Sequence, residues 1–257
     1  MGRQSRLVLA AALAGYAFLY LPLVLVVAFS FNDSRLNAEW VGFTWRWYRV
    51  LLADGNMLRA AYNSLVIAAV STLAATVLGT LAGFALHRYR PRLLGFLVVT
   101  PLAVPDILSG VSLLLLFVLL NVTLGLTSVV LAHISFSLSY VALVVRASLA
   151  GLDPALVEAA RDLGATPFQA FRRITAPLIA PGILAGAFLA FSLSLDDFVI
   201  TFFTAGAGIN TLPLQIYSML KVAVTPEVNV VSTLLMAVTL VLVIAASRLA
   251  PQALRLR

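Results

Sequence analysis

The chain has 257 residues, of which 62% are hydrophobic and 11% charged, with a net charge of +7 and a mean hydropathy of +1.05. A soluble domain is about 45–50% apolar and about 25% charged, because its surface must be wetted. The composition therefore excludes an ordinary soluble enzyme, a nucleic-acid-binding domain and a disordered tail, and it leaves a polytopic membrane protein. Cysteine is absent, so there is no disulfide, no thiolate metal site and no cysteine nucleophile.

Six apolar segments are expected to span, at about 7–29, 63–87, 94–120, 125–149, 179–204 and 228–249. Each exceeds the roughly 20 helical residues that cross a hydrocarbon core. The first follows Arg3 and Arg6; its run is too long for a cleaved leader, so it reads as a membrane helix. Twelve of the 17 basic residues then fall on the side of the termini and the 88–93 and 150–178 loops. The other five are Arg35, Arg46, Arg49, Arg59 and Lys221. The positive-inside rule places both termini in the cytoplasm. The basic residues are scattered over several loops, which argues against nucleic acid.

Outer loop 30–62 holds Trp40, Phe43, Trp45, Trp47 and Tyr48. Rings of this kind favour the headgroup level, so a short interfacial helix is expected, with contact to an external partner as the alternative. In the second span Ser71, Ala75, Gly79 and Gly83 recur every four residues, and Gly182 and Gly186 repeat the pattern in the fifth. Such stripes let helices approach closely and specify no chemistry. Pro101 and Pro105 are expected to kink the third span.

Three carboxylates fall inside spans: Asp106, Asp196 and Asp197. Counting rise per residue puts Asp106 about 18–20 Å and Asp196 about 25 Å from their cytoplasmic starts. His133 lies about 12 Å from the outer end of the fourth span. All four then occupy the outer half of a core about 30 Å thick. Charge at such depth is costly. Two readings stay open: an outward-opening cation path in which carboxylates replace the water around ammonium groups, or caps and cross-helix bonds. Asp106 follows two prolines and suits an N-cap, whereas two adjacent carboxylates exceed what capping needs. His133 reads as a hydrogen-bonding helix contact. Tyr140, Phe198, Phe202 and Phe203 offer rings to a cation, with bundle packing as the alternative.

Loop 150–178 is too polar to span but strongly punctuated. Asp153-Pro154 starts one helix, Gly164 stops it, and Thr166, Pro167 and Gln169 start a second that should end before Pro177. Leu156, Ala159, Ala160 and Leu163 share one face of the first helix, and Glu158 and Arg161 are spaced to pair. An amphipathic face shows burial but not the partner: the chain's own bundle or another protein.

In this loop Glu158-Ala159-Ala160, Gly164, Ile174 and Pro177 have the spacing of the coupling loop in membrane subunits of bacterial ABC importers, with Ala176 where that family prefers leucine. The resemblance covers nearly the whole chain. It includes Asn32-Asp33-Ser34, Trp47-Tyr48, Asn63-Ser64, Pro105-Asp106, the Ser194–Phe198 run, the Leu212–Met219 run and Pro226-Glu227-Val228-Asn229, which together resemble the second permease subunit of spermidine/putrescine importers. It implies an all-α polytopic fold of six transmembrane helices in one permease domain, type I ABC importer-like, in the bacterial inner membrane. Glu158, Ala159, Ala160, Arg161, Gly164, Ile174 and Pro177 would dock on a cytoplasmic ATPase. Asp196, Asp197, Asp106, Phe198 and Tyr140 would line the substrate path. The implied partners are a second permease forming a heterodimer, two ATPase copies, an extracytoplasmic substrate-binding protein and the bilayer. The chain itself would be non-catalytic, without metal or cofactor, because the phosphate loop Gly-x4-Gly-Lys-Ser/Thr is absent and ATP with Mg belongs to the partner. Alternatives are a permease for another small solute, or a self-sufficient cation channel or carrier. A membrane-embedded enzyme is disfavoured by the lack of His-Glu-x-x-His and Gly-x-Ser-x-Gly motifs.

Overall fold

The computed structural model describes residues 3–34, 39–222 and 225–249, which leaves Arg35, Arg255 and Arg257 of the charge pattern outside the described residues. The described residues form helices α1 (Arg3–Phe29), α2 (Arg46–Ala53), α3 (Gly55–Arg88), α4 (Arg92–Ala103), α5 (Asp106–Leu119) and α6 (Leu126–Ala150). There follow α7 (Pro154–Asp162), α8 (Pro167–Ala170), a π turn (Phe171–Thr175), α9 (Ala176–Asp196), α10 (Val199–Thr204), α11 (Leu212–Val222) and α12 (Pro226–Leu249). They divide into two compact units, Met1–Leu58 with Gln215–Val238, and Arg59–Leu214 with Thr239–Arg257.

In the first unit, α1 carries an apolar stretch, Val8–Phe29, that is not buried within the chain. Lipid or another subunit suits such a surface. The outer loop is organised by Asn32, which is fully buried. Its side chain donates to the Glu39 carbonyl (2.7 Å) and accepts from the Val41 amide (2.8 Å), and its own carbonyl accepts from the Trp47 indole (2.8 Å). Phe31 lies against Phe43, Trp45 and Tyr48 at 4.9–5.2 Å. The expected short helix forms over only part of this stretch. Trp47 and Tyr48 belong to α2, whereas Trp40, Phe43 and Trp45 precede it and are more than half exposed. Asp54 follows α2 and accepts from the Asn56 and Met57 amides, so α3 starts earlier than the expected residue 63.

In the second unit, α6 is the central helix. Glycines set its distance to two neighbours. A Cβ on Gly83 of α3 would lie 2.6 Å from the Ala142 carbonyl oxygen, and one on Gly186 of α9 would lie 3.4 Å from Val141 Cα. The small-residue stripes therefore do pack helices, as the sequence implied. Val141, Val145, Leu149 and Ile179 form one buried cluster, and Leu86, Val98 and Ala142 another. Asn63 donates to the Asn210 carbonyl (2.8 Å) and Ser64 accepts from the Leu212 amide (2.9 Å), tying the segment before α11 to α3.

The third expected span is not one straight helix. α4 and α5 meet at 117°. Val104 is held extended (ψ 132°) by the proline that follows it, and Pro105 is extended too (ψ 140°), so two consecutive residues leave the helical region. Pro101, by contrast, sits inside α4 without ending it. The fifth span departs as well. Its helix runs continuously over Pro167–Asp196, breaks, and resumes as α10. Among the described residues five helices are long and apolar enough to cross a membrane, six if the bent pair counts as one span.

Candidate functional site: a coupling loop and a broken helix

α7 is built by the local signals in its sequence. Asp153 Oδ1 accepts from the Ala155 amide (2.9 Å). The end is closed by Gly164 at φ +87°, which donates to Arg161 O (2.9 Å), while Ala165 donates to Ala160 O (3.0 Å). This paired closure satisfies two helix carbonyls and needs a left-handed residue, which glycine supplies without Cβ strain. Thr166 and Gln169 then form a reciprocal capping box (3.3 and 2.9 Å). Glu158, Ala159, Arg161 and Gly164 are exposed, and no residue of α7 is buried. Leu156 is 47%, Leu163 89% and Phe168 68% exposed. The apolar face thus does not lie on the chain's own bundle. The expected Glu158–Arg161 ion pair does not form among the described residues.

The second helix of the loop does not end before Pro177. It passes through the π turn into α9, with Ala176 donating to Phe171 O. A proline inside a regular helix loses a donor and crowds the carbonyl four residues back. The wider π turn just ahead of Pro177 changes the bonding register there, and the helix continues. Ile174 is half-buried at this turn and Pro177 is exposed on the far side of it. One helix of 30 residues, Pro167–Asp196, therefore joins the loop to the Asp196–Asp197 pair.

At its far end Asp196 is the last residue of α9 and Asp197 follows in an extended conformation (ψ 124°). The two carboxylates have different surroundings. Asp197 accepts from the Thr201 amide and hydroxyl (both 2.8 Å) and from the Ile200 amide (3.4 Å), so it caps α10. His133 Nε2 lies 3.3 Å from its Oδ2. His133 is 1% exposed and also touches Thr201 Oγ1 (2.9 Å) and, through Nδ1, Ser194 Oγ (2.7 Å). Ser194 in turn meets Ser71 Oγ of α3 (3.1 Å). Asp197 thus caps the segment after the break and meets the histidine. Asp196 is exposed and joins none of these bonds.

Asp106 is exposed in the first turn of α5, where a negative charge suits the helix dipole. The N-cap position is held by Pro105, so Asp106 is the first helical residue rather than the N-cap that its sequence position suggests. The bend before it also voids the depth obtained by counting residues along a straight span. Tyr140 lies seven residues from His133 on α6, hence on the same face about 10 Å further along. It is half-buried and outside the His133 relay. Phe198 tilts against Phe202 (5.7 Å), and Phe203 packs over Gly110 of α5. Packing thus accounts for Phe203. Ser71, Ser194 and Thr201 were not singled out as functional from sequence. Their signal was there: hydroxyls beside a buried histidine and a carboxylate in otherwise apolar spans.

The fold and this site define a membrane subunit of a transporter. The family described as "Binding-protein-dependent transport system inner membrane component" matches residues 75–255, and the chain belongs to it. It is 44% identical over 239 residues to the spermidine/putrescine transport system permease protein PotC of Escherichia coli (strain K12), covering 91% of this chain and 90% of that one. It is also 44% identical over 235 residues to the putrescine transport system permease protein PotI of the same organism, covering 87% and 83%. Among solved structures, a bacterial ABC transporter importing the polysaccharide alginate shares the fold, with a TM-score of 0.72 at 17% identity over 98% of this chain and 96% of that one. An inward-facing MetNI methionine ABC transporter does so with a TM-score of 0.66 at 22% identity over 77% and 96%.

Proposed function

We propose that the chain is one permease of an ATP-driven polyamine importer, acting as a single domain that forms half of the translocation path. The observation that carries this is the loop's unburied apolar face, held on a loop whose own caps are satisfied and joined by one helix to the broken segment at Asp196. Leu156, Leu163 and Phe168 seat in a cytoplasmic ATPase, with Glu158 and Arg161 at the rim. Removing these side chains from water stabilises the docked state by about 1.5–3 kcal/mol for each one fully buried.

ATP hydrolysis takes place on two copies of that ATPase, and this chain holds neither nucleotide nor Mg. When the ATPase pair closes, α7 is displaced and the helix Pro167–Asp196 moves with it. At about 1.5 Å per residue the helix carries that motion some 45 Å. A second permease completes the path, and an extracytoplasmic binding protein delivers the substrate. Both termini lie in the cytoplasm of the bacterial inner membrane. Asp196 and Asp106 supply negative charge to an alkylammonium cargo, and the ring of Phe198 adds a cation–π surface. The names of the two relatives support polyamines as that cargo.

The test is co-purification with uptake. A tagged chain should bring an ATPase with it, and Glu158→Arg should release the ATPase and abolish polyamine uptake while membrane insertion persists. Normal uptake by Glu158→Arg, or polyamine transport by the isolated chain in liposomes, would refute the reading.

A further inference from the structure

A cavity of about 510 Å³ is lined by Ser218, Met219 and Val222 of α11, by Thr225 and by Glu227 of α12. All five belong to the first compact unit. Glu227 stands in the first turn of α12, where the helix dipole favours a carboxylate. The dipole accounts for the charge but not for Oε2, which is buried and has no hydrogen-bond partner. Thr225 Oγ1 is buried and unpartnered in the same way. Ser218 donates to the Gln215 carbonyl (2.7 Å), so its proton is committed while its lone pairs can still accept. Among the described residues no basic side chain lines the cavity, and no ion pair involves Glu227. Lys221 lies instead over the Tyr217 ring (4.7 Å). Three oxygen-bearing side chains thus face one cavity as acceptors. Buried acceptors without donors are uncommon in native proteins, and a bound cation is one way to satisfy them.

We propose that this cavity is a second cation subsite, separate from the helix break, which binds a primary alkylammonium group. An ammonium has three N–H donors and no acceptor, which matches the Glu227 carboxylate and the Thr225 and Ser218 hydroxyls. Met219 and Val222 give the methylene chain behind the ammonium an apolar wall. The same lining selects against other ions. An anion finds no positive side chain in it. A metal ion finds a single carboxylate, and no group of three His, Cys, Asp or Glu among the described residues could hold one. The topology proposed above puts α11 and the start of α12 on the outer side, with Lys221. The subsite therefore holds cargo that has not yet entered the path at Asp196.

This inference rests on the polyamine reading and deepens it. The experiment uses the intact importer in lipid, without its binding protein, and radiolabelled spermidine. A water-soluble carbodiimide joins a bound amine to the carboxylate it touches, and peptide mapping locates the product. Labelling of Glu227 should saturate with spermidine and fall with excess unlabelled putrescine, whereas labelling of the exposed Glu39 should rise without saturating. Met219→Trp keeps the carboxylate but fills the cavity, and should abolish the saturable labelling. In an Asp196→Asn background, Glu227→Gln should weaken equilibrium binding of spermidine about tenfold or more, through the lost charged hydrogen bond, with the melting temperature unchanged. Glu227 labelling no stronger than that of Glu39, or saturable labelling that survives Met219→Trp, would overturn the subsite. So would a Glu227 product formed only with a side chain of added binding protein, since the occupant would then be a protein. Intact polyamine uptake with an unlabelled Glu227 would sink the subsite alone. Saturable labelling in an importer that takes up no polyamine would sink the cargo reading and leave the subsite standing.

Discussion

The two ends of the helix Pro167–Asp196 are finished in opposite ways. At the cytoplasmic end every polar need is met within a few residues, by Asp153, Gly164 and the Thr166–Gln169 box, and apolar side chains are left in the open. At the membrane end the polar groups are buried and met over long range, by His133 and Ser71, which lie 61 and 123 residues from Ser194. The first end is structurally complete but chemically unpartnered, as a docking surface should be. The second is complete except for Asp196. Exposed apolar groups on a self-supporting loop suit the proposed docking on another protein, and an unpaired carboxylate at the break suits the proposed cation path.

The largest effect is expected where the long-range bonds are cut. Asp197→Ala removes the α10 cap and leaves the buried Thr201 amide and hydroxyl without their acceptor, which should cost about 1–3 kcal/mol for each group left unpaired. The complex should melt at markedly lower temperature and its level in membranes should fall. Gly164→Val should come next. Forcing a β-branched residue to φ +87° misplaces the turn after α7. Uptake should drop by more than tenfold while the chain still inserts, which a pull-down of the ATPase and a membrane blot would read together. Asp196→Asn should separate the two regions most cleanly. Uptake should fall about tenfold through lost ion attraction while the melting temperature stays within a degree or two, because no bond of the break involves it. Thr166→Ala should be smallest, about 1 kcal/mol of cap loss, seen as a modest weakening of ATPase binding. An Asp196 variant that unfolds the complex, or an Asp197 variant that does not destabilise it, would erase the distinction.

The same contrast explains what was legible in the sequence. The loop's start, stop and restart were readable because their bonds close over five residues or fewer, and Asp153, Gly164 and Gln169 each announce themselves by type. The glycine stripes were readable for the same reason, since a period of four needs no knowledge of the partner helix. The roles of Asp196 and Asp197 were not. Which of two adjacent carboxylates is a cap depends on where His133 sits, and that is set by the packing of α6 against α9. The bend at Val104–Pro105 was half-visible. The prolines mark it as a kink, whereas the 117° turn comes from two consecutive extended residues, Val104 and Pro105. The continuation past Pro177 is not legible in the sequence, because a π turn relieves the clash that ordinarily ends a helix.

The central claim is that one rigid helix links the docking loop to the break. The chain has no cysteine, so a spin-label pair can be placed at will. Pro167→Cys and Leu189→Cys are both at exposed positions on this helix, about 33 Å apart at 1.5 Å per residue. Their distance distribution in the intact importer should be single, narrow and unchanged between nucleotide-free and ATP-bound states. A distribution that shortens by several ångströms or splits on ATP binding would show the helix yielding at its π turn, and would contradict the account.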